Sequence, residues 1–79
     1  MRISAEFTVY PFVEGDSLPP HVQAGIDAVS GLEVEIEIGP LSSTFRGEGH
    51  EVLEALRVAE EACIGAGAKR IVAVLEVSG

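Results

Sequence analysis

Seventy-nine residues, 47% of them hydrophobic, with a net charge of −8, describe one small folded domain spanning 1–79 and not a disordered tail. Five basic residues against thirteen acidic ones, with no cluster of Lys or Arg, lack the cationic footprint that nucleic acid needs. One cysteine excludes a disulfide scaffold and a Cys-based zinc site. No stretch reaches the roughly 18 apolar residues of a membrane span, and no signal-peptide pattern opens the chain, so a cytoplasmic location is expected.

In chain order, the first segment, "RISAEFTVYPF", alternates. Ile3, Ala5, Phe7 and Val9 face one way, and Ser4, Glu6, Thr8 and Tyr10 the other, which predicts a strand with one buried face. "VEGDSLPP" is a turn-rich connection whose prolines suit the first turn of a helix. Over 20–30, Val22, Ile26 and Val29 recur at helical spacing, and Gly31 can close the helix. "LEVEIEI" alternates Leu32, Val34, Ile36 and Ile38 with three glutamates, predicting a second strand with one wet face. Gly39-Pro40 turns the chain, and "LSSTFRG" returns as the third strand. Over 48–66, Val52, Leu56, Ala59 and Cys63 form the apolar stripe of a second helix, with Gly65 and Gly67 at its end. "RIVAVLEV" is the last strand, apolar on both sides.

The order βαββαβ predicts an α+β, ferredoxin-like sandwich: a four-stranded antiparallel sheet with two helices on one face. Right-handed crossovers set the spatial order as fourth, first, third, second. In that topology the first and third strands are central neighbours. With Leu41 and Phe45 in the core, Ser43 points inward with them. Ser42, Thr44 and Arg46 then share the open face with Glu6, Thr8 and Tyr10, with Arg46 placed nearer Glu6.

Two readings fit this patch. The commoner one is a plain Glu6–Arg46 cross-strand ion pair among Ser and Thr residues that merely favour strands. The other is a site for a flat, polar heteroaromatic, with carboxylate and hydroxyls for its nitrogens and Tyr10 as a stacking surface. Other chemistry finds less support. His21 and His50 stand near helix starts without carboxylates at ligand spacing, which predicts solvent-exposed side chains and no metal site. Ser42 lacks the context of a nucleophile. Glu48 and Glu51 would repel phosphate from the start of the second helix.

"YPF" after the first strand, "IGPLSSTFRGEGHEVLEALRVAEEA" in the middle and "GAKRIV" before the last strand resemble the YkoF-like thiamine-binding proteins. The resemblance covers nearly the whole chain and is most specific at "GPLSSTFRG". It implies non-catalytic binding of thiamine or its hydroxymethylpyrimidine moiety in thiamine salvage or transport, no cofactor, and assembly into homodimers or homotetramers. Tyr10, Ser42, Ser43, Thr44 and Arg46 fall in the matching segments. Because Arg46 sits poorly beside a positively charged thiazolium unless Glu6 neutralises it, the pyrimidine moiety is the favoured part. Val72 and Val74, apolar on the side away from the helices, predict a sheet-on-sheet contact between copies.

Two alternatives belong to other classes. One is a regulatory or interaction module of the same fold with no small-molecule ligand. The other, an acylphosphatase-type enzyme, needs a cationic loop after the first strand, where this chain has the acidic "PFVEGDSLPP".

Overall fold

The computed structural model describes residues 1–11, 19–39 and 42–78. Its elements are β1 (Arg2–Tyr10), α1 (Pro20–Val29), β2 (Glu35–Ile38), β3 (Ser43–Glu48), α2 (Gly49–Gly65) and β4 (Arg70–Ser78). The four strands form one antiparallel sheet in the order β2-β3-β1-β4, the ferredoxin-like arrangement that the segment order predicts. The expected core residue Leu41, the turn residue Pro40 and most of the connection after β1 lie outside the described residues.

Alternation along β1 decides the core. Ile3, Ala5, Phe7 and Val9 are all buried, and the Phe7 ring tilts against Phe45 of β3 with centroids 4.9 Å apart. Burying each of these rings is worth about 1.5–3 kcal/mol. The β1–β3 register sets Ala5 against Phe45 and Phe7 against Ser43, so buried residues of both strands share the helix-facing side. From above, Val29 of α1 and Val52, Ala55, Leu56, Ala59 and Cys63 of α2 close the core.

Several boundaries are shorter than the sequence pattern suggests. β2 begins at Glu35, and Leu32 is exposed, because the chain still turns away from α1 there, with the Leu32 N–H donating to the Val29 carbonyl and the Val34 N–H to the Leu32 carbonyl, both at 3.0 Å. The β2–β3 hairpin closes with the Gly39 N–H donating to the Ser42 carbonyl at 2.8 Å. α1 starts on Pro20, whose fixed φ suits the first helical position. α2 ends where the Ala68 N–H donates to the Cys63 carbonyl at 2.9 Å and Gly67 takes φ +110°, a left-handed conformation that glycine adopts without strain. On its exposed side, Arg57 bridges Glu54 at 2.6 Å and Glu61 at 2.9 Å. The hydrogen bond from Arg57 holds the Glu54 carboxyl below the usual carboxylate range.

His21 departs from expectation. It is buried, and its Nε2 lies 2.8 Å from the Pro11 carbonyl, tying the start of α1 to the end of β1. The buried side of α1 runs through His21, Gly25 and Val29, with Val22 and Ile26 at its margin. Of the three apolar residues only Val29 lies at the centre, and spacing of four among 21, 25 and 29 marks the buried line.

The two helices meet where α1 has no side chain. A Cβ at Gly25 would lie 2.5 Å from the Cys63 Sγ and 3.3 Å from the Ala59 carbonyl oxygen. Gly25→Ala gains about 1 kcal/mol of helix propensity but forces the helices apart, an overpacking cost of about 1–3 kcal/mol. A net loss of stability is therefore expected in urea unfolding. In a Cys63→Ala background the same change should become neutral or stabilising, which a double-mutant cycle would read directly. Burial also pushes the Cys63 thiol pKa up, with Glu60 adding in the same direction against an offsetting hydrogen bond from the Gly25 backbone. Since the thiolate is the reactive form, Cys63 should react with a thiol reagent in the native protein only as fast as the chain opens. Reaction at the rate of a free cysteine would show that α1 does not seal it.

Candidate functional site

The face of the sheet away from the helices collects the even-numbered residues of β1, β3 and β4. Strand pairing fixes their neighbours. Glu37, Thr44, Glu6 and Val74 form one row across the four strands, and Glu35, Arg46, Ser4 and Glu76 the next. Toward the other end, Thr8 faces Val72 and Tyr10 faces Arg70. Six of the expected residues, Glu6, Thr8, Tyr10, Ser42, Thr44 and Arg46, thus lie on one surface. Ser43 does not. It points to the helix side, 4% exposed, opposite Phe7.

Glu6 is the centre of the patch. Its carboxylate accepts from the Ser42 hydroxyl at 3.3 Å, and it stands between Thr44 on one side and Val74 on the other. The expected Glu6–Arg46 pair is not formed. Thr44, not Arg46, is directly opposite Glu6, and Arg46 instead donates to Glu37 of β2 at 3.0 Å. That pair is well exposed and contributes no more than about 1 kcal/mol. Its consequence is local: the guanidinium is drawn toward the β2 edge, and the carboxylate in the middle of the face is left to the hydroxyls.

At the other end, the Arg70 guanidinium carbon sits 5.3 Å from the centre of the Tyr10 ring, a cation–π arrangement that steadies the phenol from the β4 side. Val72 and Val74 supply an apolar flank beside Thr8 and Glu6. Neither this flank nor Arg70 was among the residues expected at the site. Pairing two strands next to β1 brings them there, and the only sequence signal was the valines at alternate positions of "IVAVLEV".

Chemically, the patch offers one carboxylate acceptor, three hydroxyls that both donate and accept, an aromatic ring and two apolar side chains. The whole open face carries Glu6, Glu35, Glu37, Glu48 and Glu76 against Arg2, Arg46 and Arg70, so it favours amines and cations over anions. A cleft of about 370 Å³ reaches Arg2, Glu35, Arg46 and Glu48 at one end of this face, and clefts of about 450 Å³ (Glu60, Ile64, Lys69) and 280 Å³ (Leu32, His50, Glu54) open around the helix ends. Among the described residues no His, Cys, Asp and Glu group has metal-site geometry, and no helix is long and apolar enough to cross a membrane.

Residues 5–79 match the sequence profile of a family described as thiamine-binding protein. A UPF0045 protein of Methanothermobacter thermautotrophicus is 34% identical over 77 residues, covering 95% of this chain and 78% of that protein. One from Clostridium perfringens is 29% identical over 69 residues, covering 87% and 73%. Among solved structures, a DUF77 domain from Bacillus cereus superposes with a TM-score of 0.69 at 25% identity, covering 95% of this chain and 72% of that one. A candidate thiamine biosynthesis/salvage protein from Thermotoga maritima gives 0.66 at 25% identity, covering 96% and 81%. With a profile matched along almost its entire length and a curated relative above 30% identity, this chain belongs to the thiamine-binding protein family.

Proposed function

We propose that the chain binds thiamine or its hydroxymethylpyrimidine part on the open face of the sheet, without catalysis, and serves salvage or transport of that ligand. The observation that carries this reading is the Glu6 carboxylate, set between Thr44 and Val74 with the Ser42 hydroxyl 3.3 Å away. An aminopyrimidine entering such a patch gives up hydrogen bonds to water and must recover them from fixed partners. Glu6 accepts from the exocyclic amine, Ser42 and Thr44 serve the ring nitrogens, and Val72 and Val74 flank the ring's apolar edge. Ser43, on the other side of the sheet, takes no part.

Arg46 no longer argues against the whole vitamin. Held by Glu37, it stands away from Glu6, and the excess of carboxylates on this face suits a thiazolium cation. A flat sheet covers only one side of a ligand, whereas small-molecule sites usually bury most of it. The site is therefore completed in a homo-oligomer, a dimer or tetramer, in which a second copy lies over the open face.

Calorimetric titration of hydroxymethylpyrimidine and thiamine tests the site. Thr44→Val is nearly isosteric and should leave folding intact while weakening binding by about 1–2 kcal/mol, the cost of stranding a buried partner, or roughly 5- to 30-fold. Equal affinity in both proteins would move the site off β3. The absence of heat with either compound would favour a module that binds other proteins through its sheet. Among the described residues this face holds no nucleophile–base pair and no cationic cradle, so purified protein should not hydrolyse acyl phosphates. Turnover that disappears on changing one named residue would overturn the binding reading.

A further inference from the structure

Charges on the open face are sorted along the strands. Glu35, Glu37, Glu48 and Glu76 lie level with Glu6 or toward the Arg2 end, together with Arg2 and Arg46. In the other direction Thr8 faces Val72 and Tyr10 faces Arg70, and the pairing brings in no carboxylate. Among the described residues the ion pairs engage the Met1 amine, Arg46 and Arg57, so Arg70 and its neighbour Lys69 have no carboxylate partner. Both line the cleft of about 450 Å³, whose wall is the apolar Ile64, Ala68 and Ile71, with Glu60 as the one acid among the described residues that line it. The Lys69 N–H donates to the Tyr10 carbonyl at 2.8 Å, and the Arg70 guanidinium lies over the Tyr10 ring. Arg70 is therefore shared by cleft and open face, and the cleft adjoins the face at its Tyr10 end.

We propose that the ligand of this face is a phosphate ester of thiamine, with its pyrimidine at Glu6 and its phosphate at Arg70 and Lys69. This rests on the ligand site proposed above and names the form of the vitamin that the site selects. Length fits first. Tyr10 stands four residues beyond Glu6 on β1, roughly 13 Å along an extended strand. In thiamine the thiazolium ring separates the pyrimidine from the hydroxyethyl arm that carries a phosphate, so the ester is a rod of comparable length. Laid along β1 and β4, it sets the pyrimidine amine on Glu6, the thiazolium over Thr8 and Val72, and the phosphate at the mouth of the cleft.

The order of charges fits as well. Unesterified thiamine lying this way brings its cation toward Arg70 and Lys69 with no anion between them, and like charges repel. An ester phosphate removes that repulsion and accepts from a planar guanidinium fork and a mobile ammonium, the two side chains best suited to it. Two cations with no nucleophile beside them hold a phosphate ester without cleaving it, in keeping with a binding protein.

Calorimetric titration of four compounds into the full chain makes the test: thiamine, thiamine monophosphate, hydroxymethylpyrimidine and hydroxymethylpyrimidine phosphate. Thiamine monophosphate should bind roughly ten-fold or more tightly than thiamine, the gain expected of charge-assisted hydrogen bonds. Hydroxymethylpyrimidine phosphate should gain nothing over hydroxymethylpyrimidine, because its phosphate is one carbon from the ring and falls short of Arg70. The side chains of Lys69 and Arg70 are exposed, so substitution there spares the fold. Arg70→Gln and Lys69→Gln should each draw the ratio of monophosphate to thiamine affinity toward one, and Arg70→Lys, which keeps the charge, should retain the preference. Equal affinity of the wild type for both forms would overturn this proposal and leave the ligand site standing. A preference that survives both glutamine variants, or an Arg70→Gln protein that weakens both forms alike, would overturn the assignment to these two cations. No heat with any of the four compounds would overturn the ligand site and this inference together.

Discussion

Everything in this molecule depends on β1 being paired on both sides. As the inner strand between β3 and β4, it transmits its two-residue period to both neighbours, so one alternation sorts the residues of three strands into a core side and an open side. Phe7 and Phe45 meet because of that pairing, and so do Glu6, Thr44 and Val74 on the reverse. A slip of one residue on β1 would exchange the two sets and destroy core and site together. The facing of the hydroxyl patch is therefore as well determined as that of the core, although none of its residues is fully buried.

Small size explains what surrounds that sheet. A domain of this length removes only about 60% of its surface from water, and the helices here spend their apolar stripes on each other and on the two inner strands. Gly25 lets α1 come within contact of Cys63, which concentrates packing over β1 and β3. Little is left to cover β4, and its valines and leucine face water on both sides. The packing is therefore tight at the centre of the sheet and thin at the β4 edge.

Electrostatics on the open face are arranged by strand neighbours more than by charge totals. Arg46 has Glu35 directly beside it and Glu37 within reach on β2, so it turns outward. Arg70 lies over Tyr10 at the opposite corner. With both guanidinium groups held at the periphery, the middle of the face is a carboxylate among hydroxyls and apolar side chains, an environment that accepts an amine and tolerates a cation.

The sequence by itself determined the order of elements, the side each residue of β1 and β3 faces, and so the membership of the hydroxyl patch, because a period of two needs no tertiary information. The inward placement of Ser43 and the outward placement of Val72 and Val74 were legible on the same ground. Tertiary structure alone decided the partners. Which residue stands opposite Glu6 depends on register, and a shift of two positions preserves every facing while replacing Arg46 by Thr44. The burial of His21 depends on how α1 leans on α2 and on the carbonyl of Pro11, and the exposure of β4 on where two helices come to rest above four strands. Periodicity fixes faces, but contacts between elements distant in the chain are set by packing, and it is packing that put Glu6 between Thr44 and Val74 and left β4 at the edge of the sheet.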